Sequence, residues 1–184
     1  MQNHPRLAAA LLAASLLVVP VAANAAPEFR VARAVLQDGA TGATVGWALF
    51  SETGGRGVQV VVVAFGLGEG LHGLHIHTIG TCGRPDFLSA GPHFNPLNVP
   101  HGSHGGDLPN LPVGPGGFGH LVTSSTRFSL LPGQLSIFDS DGAALVIHAG
   151  QDDHMTNPTG NSGARIACGV ITPLSLWSFG ISGR

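Results

Sequence analysis

The chain contains no lysine, and charged residues make up only 10% of its 184 positions. Arginines and acids balance to a formal net charge of −2. So few and scattered cations exclude the basic stripe that a nucleic-acid surface requires. After residue 25 no apolar run approaches the ~18 residues needed to span a bilayer. No cysteine lies near Ala25, which excludes a lipidated-cysteine anchor there. Internal repeats are absent, and no segment has a convincing helical period, which leaves β structure.

What is present at the N-terminus reads as a targeting segment. His4 and Arg6 give a mildly basic start, residues 7–22 are apolar except for Ser15 and Pro20, and Ala23-Asn24-Ala25 is a small-residue cleavage site. Residues 1–25 are therefore expected to be a secretory signal peptide. An uncleaved membrane anchor is the competing reading, and Pro20 and the Ala-x-Ala site argue against it. The expected mature chain is periplasmic or secreted and free of the membrane. It holds one domain over 26–172, followed by a tail, 173–184, whose Leu174, Leu176, Trp177 and Phe179 have no evident place. In an oxidising compartment Cys82 and Cys168 read as a disulfide, worth roughly 4 kcal/mol in the chain-entropy model. Free or metal-binding thiols are the alternative.

Runs rich in Val, Ala and Leu at 29–36, 44–50, 58–65, 71–77, 118–123, 127–131, 143–149 and 165–171 are separated by glycine-bearing turns. They predict an all-β fold, an antiparallel sandwich or barrel of eight strands, with room for a further short strand within 132–142. Two segments lack strand character: 78–117, dense in Gly, Pro, His and Asn, and the polar 150–164. A forty-residue loop in one domain signals function or an error of assignment.

The histidines favour function. Strand alternation puts His72, Leu74 and Ile76 on one face of 71–77, and His75 and His77 on the other. In 143–149, Leu145 and Ile147 point inward and His148 outward. Three imidazoles on two strands can thus converge outside the core and beneath the long loops, where His93, His101, His104 and Asp107 lie. Three histidines with a carboxylate suit tetrahedral zinc, and an all-imidazole set suits copper. Two four-ligand sites need eight donors and the candidates number seven, so one imidazole would bridge. A solvated His/Gly loop is the plainer reading of His101 and His104, and His72 reads as a hydrogen-bonded core histidine. His154 reads as an exposed loop residue, and His120 has no proposed role.

Four segments carry a family resemblance: Leu71-His72-Gly73-Leu74-His75-Ile76-His77, Ser89-Ala90-Gly91-Pro92-His93-Phe94-Asn95-Pro96, Gly106-Asp107-Leu108-Pro109-Asn110, and Thr159-Gly160-Asn161-Ser162-Gly163-Ala164-Arg165-Ile166-Ala167-Cys168-Gly169-Val170-Ile171. Together they resemble the copper/zinc superoxide dismutase family, its bacterial exported branch above all. The resemblance implies an eight-stranded antiparallel Greek-key β-barrel with long metal-binding and electrostatic loops. It also implies copper and zinc as cofactors, with superoxide converted to oxygen and hydrogen peroxide by copper redox cycling. Residue by residue, it gives His75, His77, His93 and His148 to copper, and His93, His101, His104 and Asp107 to zinc, with His93 as the bridge. Asp152 becomes the carboxylate linking imidazoles of the two sites, Arg165 the cation that attracts superoxide, and Cys82–Cys168 the family disulfide. A homodimer is compatible with the sequence and not specified by it. The loop 150–164 holds neither lysine nor glutamate, so steering of the anion falls almost entirely to Arg165. A non-catalytic copper/zinc-binding protein of the same fold and a purely structural β-domain are the rival functions.

Overall fold

The computed structural model describes residues 29–54 and 56–174. The expected signal peptide and the tail beyond Leu174 lie outside the described residues. Ten strands follow in order: β1 (Phe29–Asp38), β2 (Thr44–Thr53), β3 (Val58–Ala64), β4 (Gly70–His72), β5 (Leu74–His77), β6 (Leu111–Val113), β7 (Gly119–Ser125), β8 (Ala144–His148), β9 (Arg165–Val170) and β10 (Thr172–Pro173). Only one 3-10 turn, Leu88–Ala90, interrupts them among the described residues.

Every ladder between these strands is antiparallel, in the order β4-β6-β7-β3-β2-β1-β9-β8-β5, with β10 added to β1. The two ends of that path, β4 and β5, are separated in sequence by Gly73 alone, so the sheet nearly closes on itself. The result is the all-β antiparallel barrel that the sequence predicts, with the Greek-key order that the family resemblance implies and ten strands in place of the expected eight. The free edge of β5 is covered by main-chain bonds from the long loop, which keeps it from pairing with another chain.

Alternation fills the barrel. Ala32, Ala34 and Leu36 of β1, Ala48 and Phe50 of β2, and Val58, Val60, Val62 and Ala64 of β3 are buried. They meet Leu74 and Ile76 of β5 and Leu145 and Ile147 of β8 in one cluster. On the outer side of β8, Ala144 and Val146 pack with Phe87, Ala90 and Cys168. Both faces of β8 are thus covered, one by the barrel interior and one by loops. The disulfide Cys82–Cys168 is formed and ties the long loop to β9.

Three boundaries differ from the sequence reading. The run 71–77 divides at Gly73, whose N–H and C=O instead bond Gly150 O and His148 N, each at 2.8 Å. A short strand, β6, emerges from the stretch expected to be irregular, where Leu111 and Val113 bury beside Pro112. The run 127–131 is no strand: Ser129 and Ser136 form only an isolated bridge. Its apolar alternation is correct about burial, since Phe128 and Leu130 are in the core, and Phe128 meets Phe50 edge-on at 6.4 Å. The Ser129 main chain bonds Leu135 O and Ile137 N instead of a neighbouring strand, and the buried Glu52 carboxylate accepts from Leu130 N at 2.6 Å and from Ser129 Oγ at 2.9 Å. No strand forms within 132–142.

Candidate metal centre

The outer edge of β5 builds the site. Phe94 N donates to Ile76 O, Ile76 N to Gly106 O, Gly106 N to Phe94 O, and Thr78 N to Pro92 O, at 2.8–3.0 Å. Two pieces of the long loop therefore lie along this strand in register, His93 opposite His77 and Asp107 opposite His75. Gly106 is obligatory, because a Cβ there would overlap the Ile76 carbonyl oxygen. On the other side of β5, β8 pairs Leu74 with Ile147 and brings His148 to the end of the ladder. The loop 78–117 and the loop 149–164 then cover His75, His77 and His148, which face away from the barrel core yet are buried.

Two four-residue groups result, His75–His77–His93–His148 and His93–His101–His104–Asp107. In each, the donor atoms lie within 4.8 Å of one another. His93 belongs to both, stacked on His75 with ring centres 3.8 Å apart.

Hydrogen bonds decide which nitrogen of each ring faces inward. His77 Nδ1 donates to Gly91 O at 2.7 Å and His148 Nδ1 to Gly163 O at 3.1 Å. The Nε2 atoms of His75 and His101 donate to the two oxygens of Asp152, at 2.7 and 2.8 Å. An imidazole that donates through one nitrogen holds a lone pair on the other. The nitrogens left over are His75 Nδ1, His77 Nε2, His93 Nε2, His101 Nδ1, His104 Nδ1 and His148 Nε2, all buried and without a hydrogen-bond partner. Buried polar atoms rarely go unpaired. Six aimed at two points fit metal ions. A third group, His75–His101–Asp152, satisfies itself with the bonds just named and offers no converging free lone pair.

Asp107 is prepared in the same way. Its Oδ2 accepts from Gly102 N at 2.8 Å and His104 N at 3.1 Å, and its Oδ1 lies 2.9 Å from His93 Nδ1 and 3.3 Å from His104 Nδ1. Burial alone would raise this carboxyl; the His93 hydrogen bond and the neighbouring imidazoles hold it below the ordinary range. Asp152 is lowered likewise, its burial outweighed by the bonds from His75 and His101. Burial, then His93, pushes the His75 imidazole down to about 3. Burial likewise takes His148 to about 4 and His77 well below its usual value. These imidazoles are neutral at neutral pH and free to ligate.

Asp152 is itself held in place. Asn110 clamps its main chain, donating to Asp152 O at 2.9 Å and accepting from Asp152 N at 2.8 Å. Gly160, at φ +61°, passes so close that a Cβ would collide with the carboxylate and with His101. Asp152→Asn offers one acceptor and one amine where two imidazole N–H groups arrive, so one ring must turn. A fall in metal affinity of about 10–100-fold is expected, measured by chelator competition, with an unchanged affinity as the contrary result.

Arg165 sits beside the first group. Its guanidinium donates to Phe87 O at 2.7 Å and Gly91 O at 2.8 Å. It shares a cavity of about 640 Å³ with His93 and His104, walled by Pro92, Phe94, Asn95 and Thr159. Gly91 O therefore serves both His77 and Arg165. The profile of the copper/zinc superoxide dismutase (SODC) family matches residues 44–171. The chain belongs to that family.

Its relatives include the superoxide dismutase-like protein YojM of Bacillus subtilis, 45% identical over 138 residues, 71% of this chain and 70% of that one. A copper/zinc superoxide dismutase of Caulobacter vibrioides is 40% identical over 63% of this chain and 72% of its own. The Deinococcus radiodurans enzyme is 39% identical over 73% and 81%. A solved structure of a SOD-like protein from Bacillus subtilis superposes with a TM-score of 0.71 at 43% identity, covering 74% of this chain and 95% of that one. The metals of the family are copper and zinc, and the two donor groups here are compatible with them.

His72 lies outside both groups, its ring nitrogens 2.7 Å from His148 O and 3.0 Å from Gly68 O. His154 is half exposed, with Nδ1 3.2 Å from Asp152 Oδ2, and His120 is on the outer face of β7. Sequence reasoning missed Asn110 and Asn157, whose Oδ1 accepts from His101 N at 2.7 Å. Their partners lie 42 and 56 positions away, beyond any local pattern.

Proposed function

We propose that the chain is a superoxide dismutase, with His75, His77, His93 and His148 as the copper ligands and His93, His101, His104 and Asp107 as the zinc ligands. The observation that carries this reading is the set of six buried, unpartnered imidazole nitrogens, four in the first group and two beside Asp107 in the second, with His93 a member of both groups. Bound copper supplies one-electron redox cycling, so that two superoxide anions and two protons become oxygen and hydrogen peroxide, while zinc, without a redox state of its own, fixes charge and geometry.

The chain's own groups do the rest. Arg165, pinned by two carbonyls, presents a fixed cation in the cavity that contains His93, where a small anion is attracted and oriented. His93 Nε2, turned toward His75, His77 and His148, is the atom at which a proton can be held next to the product. Asp152 orients one imidazole of each group. Residues 26–172 form the functional domain, and residues 1–25 direct it to the periplasm or the exterior, for which the disulfide is suited.

Steering is weak in this reading. Asp139 lines the cavity with Arg165, and Asp86 lies close enough to act on Arg165 electrostatically. Asp153 is spent within its loop, accepting from Met155 N, Thr156 N, Thr156 Oγ1 and Asn161 Nδ2 at 2.7–3.0 Å. With one cation offset by acids, the rate is expected to change less than about twofold between low and physiological ionic strength. A steep fall would show stronger steering than Arg165 provides.

The decisive experiment loads the purified chain with copper and zinc, counts both by mass spectrometry and follows superoxide decay. Stoichiometric metal with fast decay is expected. Full loading without catalysis would make the chain a metal store or carrier, and failure to take up metal would make it a structural domain.

A further inference from the structure

We propose that Arg127 is a positioning residue for the zinc-side donors, fixing the separation of His101 and Asp107 from outside the site. This rests on the assignment of His93, His101, His104 and Asp107 to zinc.

The segment 101–107 carries three of those four donors and three glycines, Gly102, Gly105 and Gly106. Ordering such a segment costs roughly 1–2 kcal/mol per residue, most for glycine, and only its last two residues lie along β5, leaving 101–105 without a ladder. Asp107 closes it internally through Gly102 N and His104 N. Gly106 is held on β5 through Ile76 N, and His101 N bonds Asn157 Oδ1; what spans the two ends from outside the segment is Arg127, just past the end of β7. Its NH1 donates to Gly102 O at 2.9 Å and its NH2 to Asp107 O at 2.5 Å. These carbonyls belong to Asp107 itself and to the residue after His101. A planar guanidinium holds its two donors at a fixed spacing, so one side chain sets the distance between the first and last donors.

Packing reinforces the brace. Gly105 backs onto Arg127, where a Cβ would come within 2.8 Å of Arg127 O and 2.9 Å of the Phe94 ring. The loop is thus pressed between the Phe94 ring and the main chain of Arg127. Neither His75, His77 nor His148 bonds Arg127, so the effect falls on the zinc side.

The test measures zinc affinity of the metal-free chain by competition with a chromophoric chelator, and records the visible bands of Co²⁺ bound in its place. Arg127→Gln is expected to weaken zinc binding by about 10–100-fold and to shift the Co²⁺ bands. Arg127→Lys keeps the charge but reaches one carbonyl at a time, and should fall between. A purely structural arginine would lower the melting temperature of the metal-free chain and leave zinc affinity at wild-type level; that result overturns the proposal. If Arg127→Gln does not fold without metal, Arg127→Lys decides, an intermediate affinity supporting the brace and a wild-type affinity overturning it. A wild-type chain that takes up no zinc removes the assignment on which the brace depends, a result distinguishable from failure of the brace alone.

Discussion

His93→Ala is expected to cost the protein both metals at once, whereas His104→Ala should cost only zinc. His93 is the single residue common to the two donor groups. Its Nε2 is turned to the first, and its Nδ1 lies 2.9 Å from Asp107 Oδ1 in the second. Alanine leaves three donors in each. Removing only an outer hydrogen-bond partner of a metal ligand costs about 10–100-fold in affinity, and loss of a ligand costs more. Superoxide decay should therefore fall by at least about 100-fold. Metal that binds only the folded chain stabilises it by about 4 kcal/mol at a thousand times its Kd. The wild type should thus gain on the order of 10 °C in Tm on loading, and His93→Ala little. Metal analysis, calorimetry and superoxide decay on the two variants are the measurements. Retention of both metals and of the rate by His93→Ala would mean that the shared imidazole has no functional part.

The metal-free chain should unfold on mild acidification. In the folded chain burial pushes the His75 imidazole down to about 3 and His148 down to about 4, and it holds His77 well below its usual range. In the unfolded chain each titrates near 6.5. Below that value the unfolded state binds more protons than the folded one, so stability falls as pH drops from about 6.5 toward the folded values and is flat above 6.5. Each imidazole contributes a slope of about 1.4 kcal/mol per pH unit. Three together give roughly 4 kcal/mol per unit, which exhausts the usual 5–15 kcal/mol of a domain within a few units. Asp107 and Asp152, both lowered, extend the loss beneath pH ~4 as they protonate. Bound metal competes with protons for the same lone pairs, so the loaded protein should withstand lower pH. Tm measured from pH 8 to pH 4 with and without metal checks this, and a flat profile for the metal-free chain between pH 6 and 4 contradicts it.

Legibility in the sequence follows the range of the interactions. β1, β2 and β3 could be read because alternation within one strand decides which side chains enter the core, a purely local matter. The outward placement of His75, His77 and His148 follows from the same rule; His72, beyond the break at Gly73, is buried and bonded to His148 O and Gly68 O. The run 127–131 has the same alternation and is still not a strand, because the Ser129 main chain bonds Leu135 and Ile137 and the Leu130 N–H goes to Glu52, 78 positions away. β6 was hidden because its middle residue is Pro112, and because most of its pairing is to the remote β4, with only Val113 meeting the nearby β7. Motif resemblance supplied the candidate donors in the long loop, but no local pattern says that residues 92–94 and 106–108 pair with β5.

The sequence by itself determined that this is a β protein, poor in charge, whose histidines gather outside the core on strands and a glycine-rich loop. Only the tertiary structure decided which nitrogen of each ring is free, because that depends on Gly91, Gly163 and Asp152, acceptors from distant segments. It also decided that Asn110 clamps Asp152 and that Arg127 bonds Gly102 O and Asp107 O. The physical reason is common to all three: a hydrogen bond senses distance and angle in space, whereas a sequence pattern reports only neighbours along the chain.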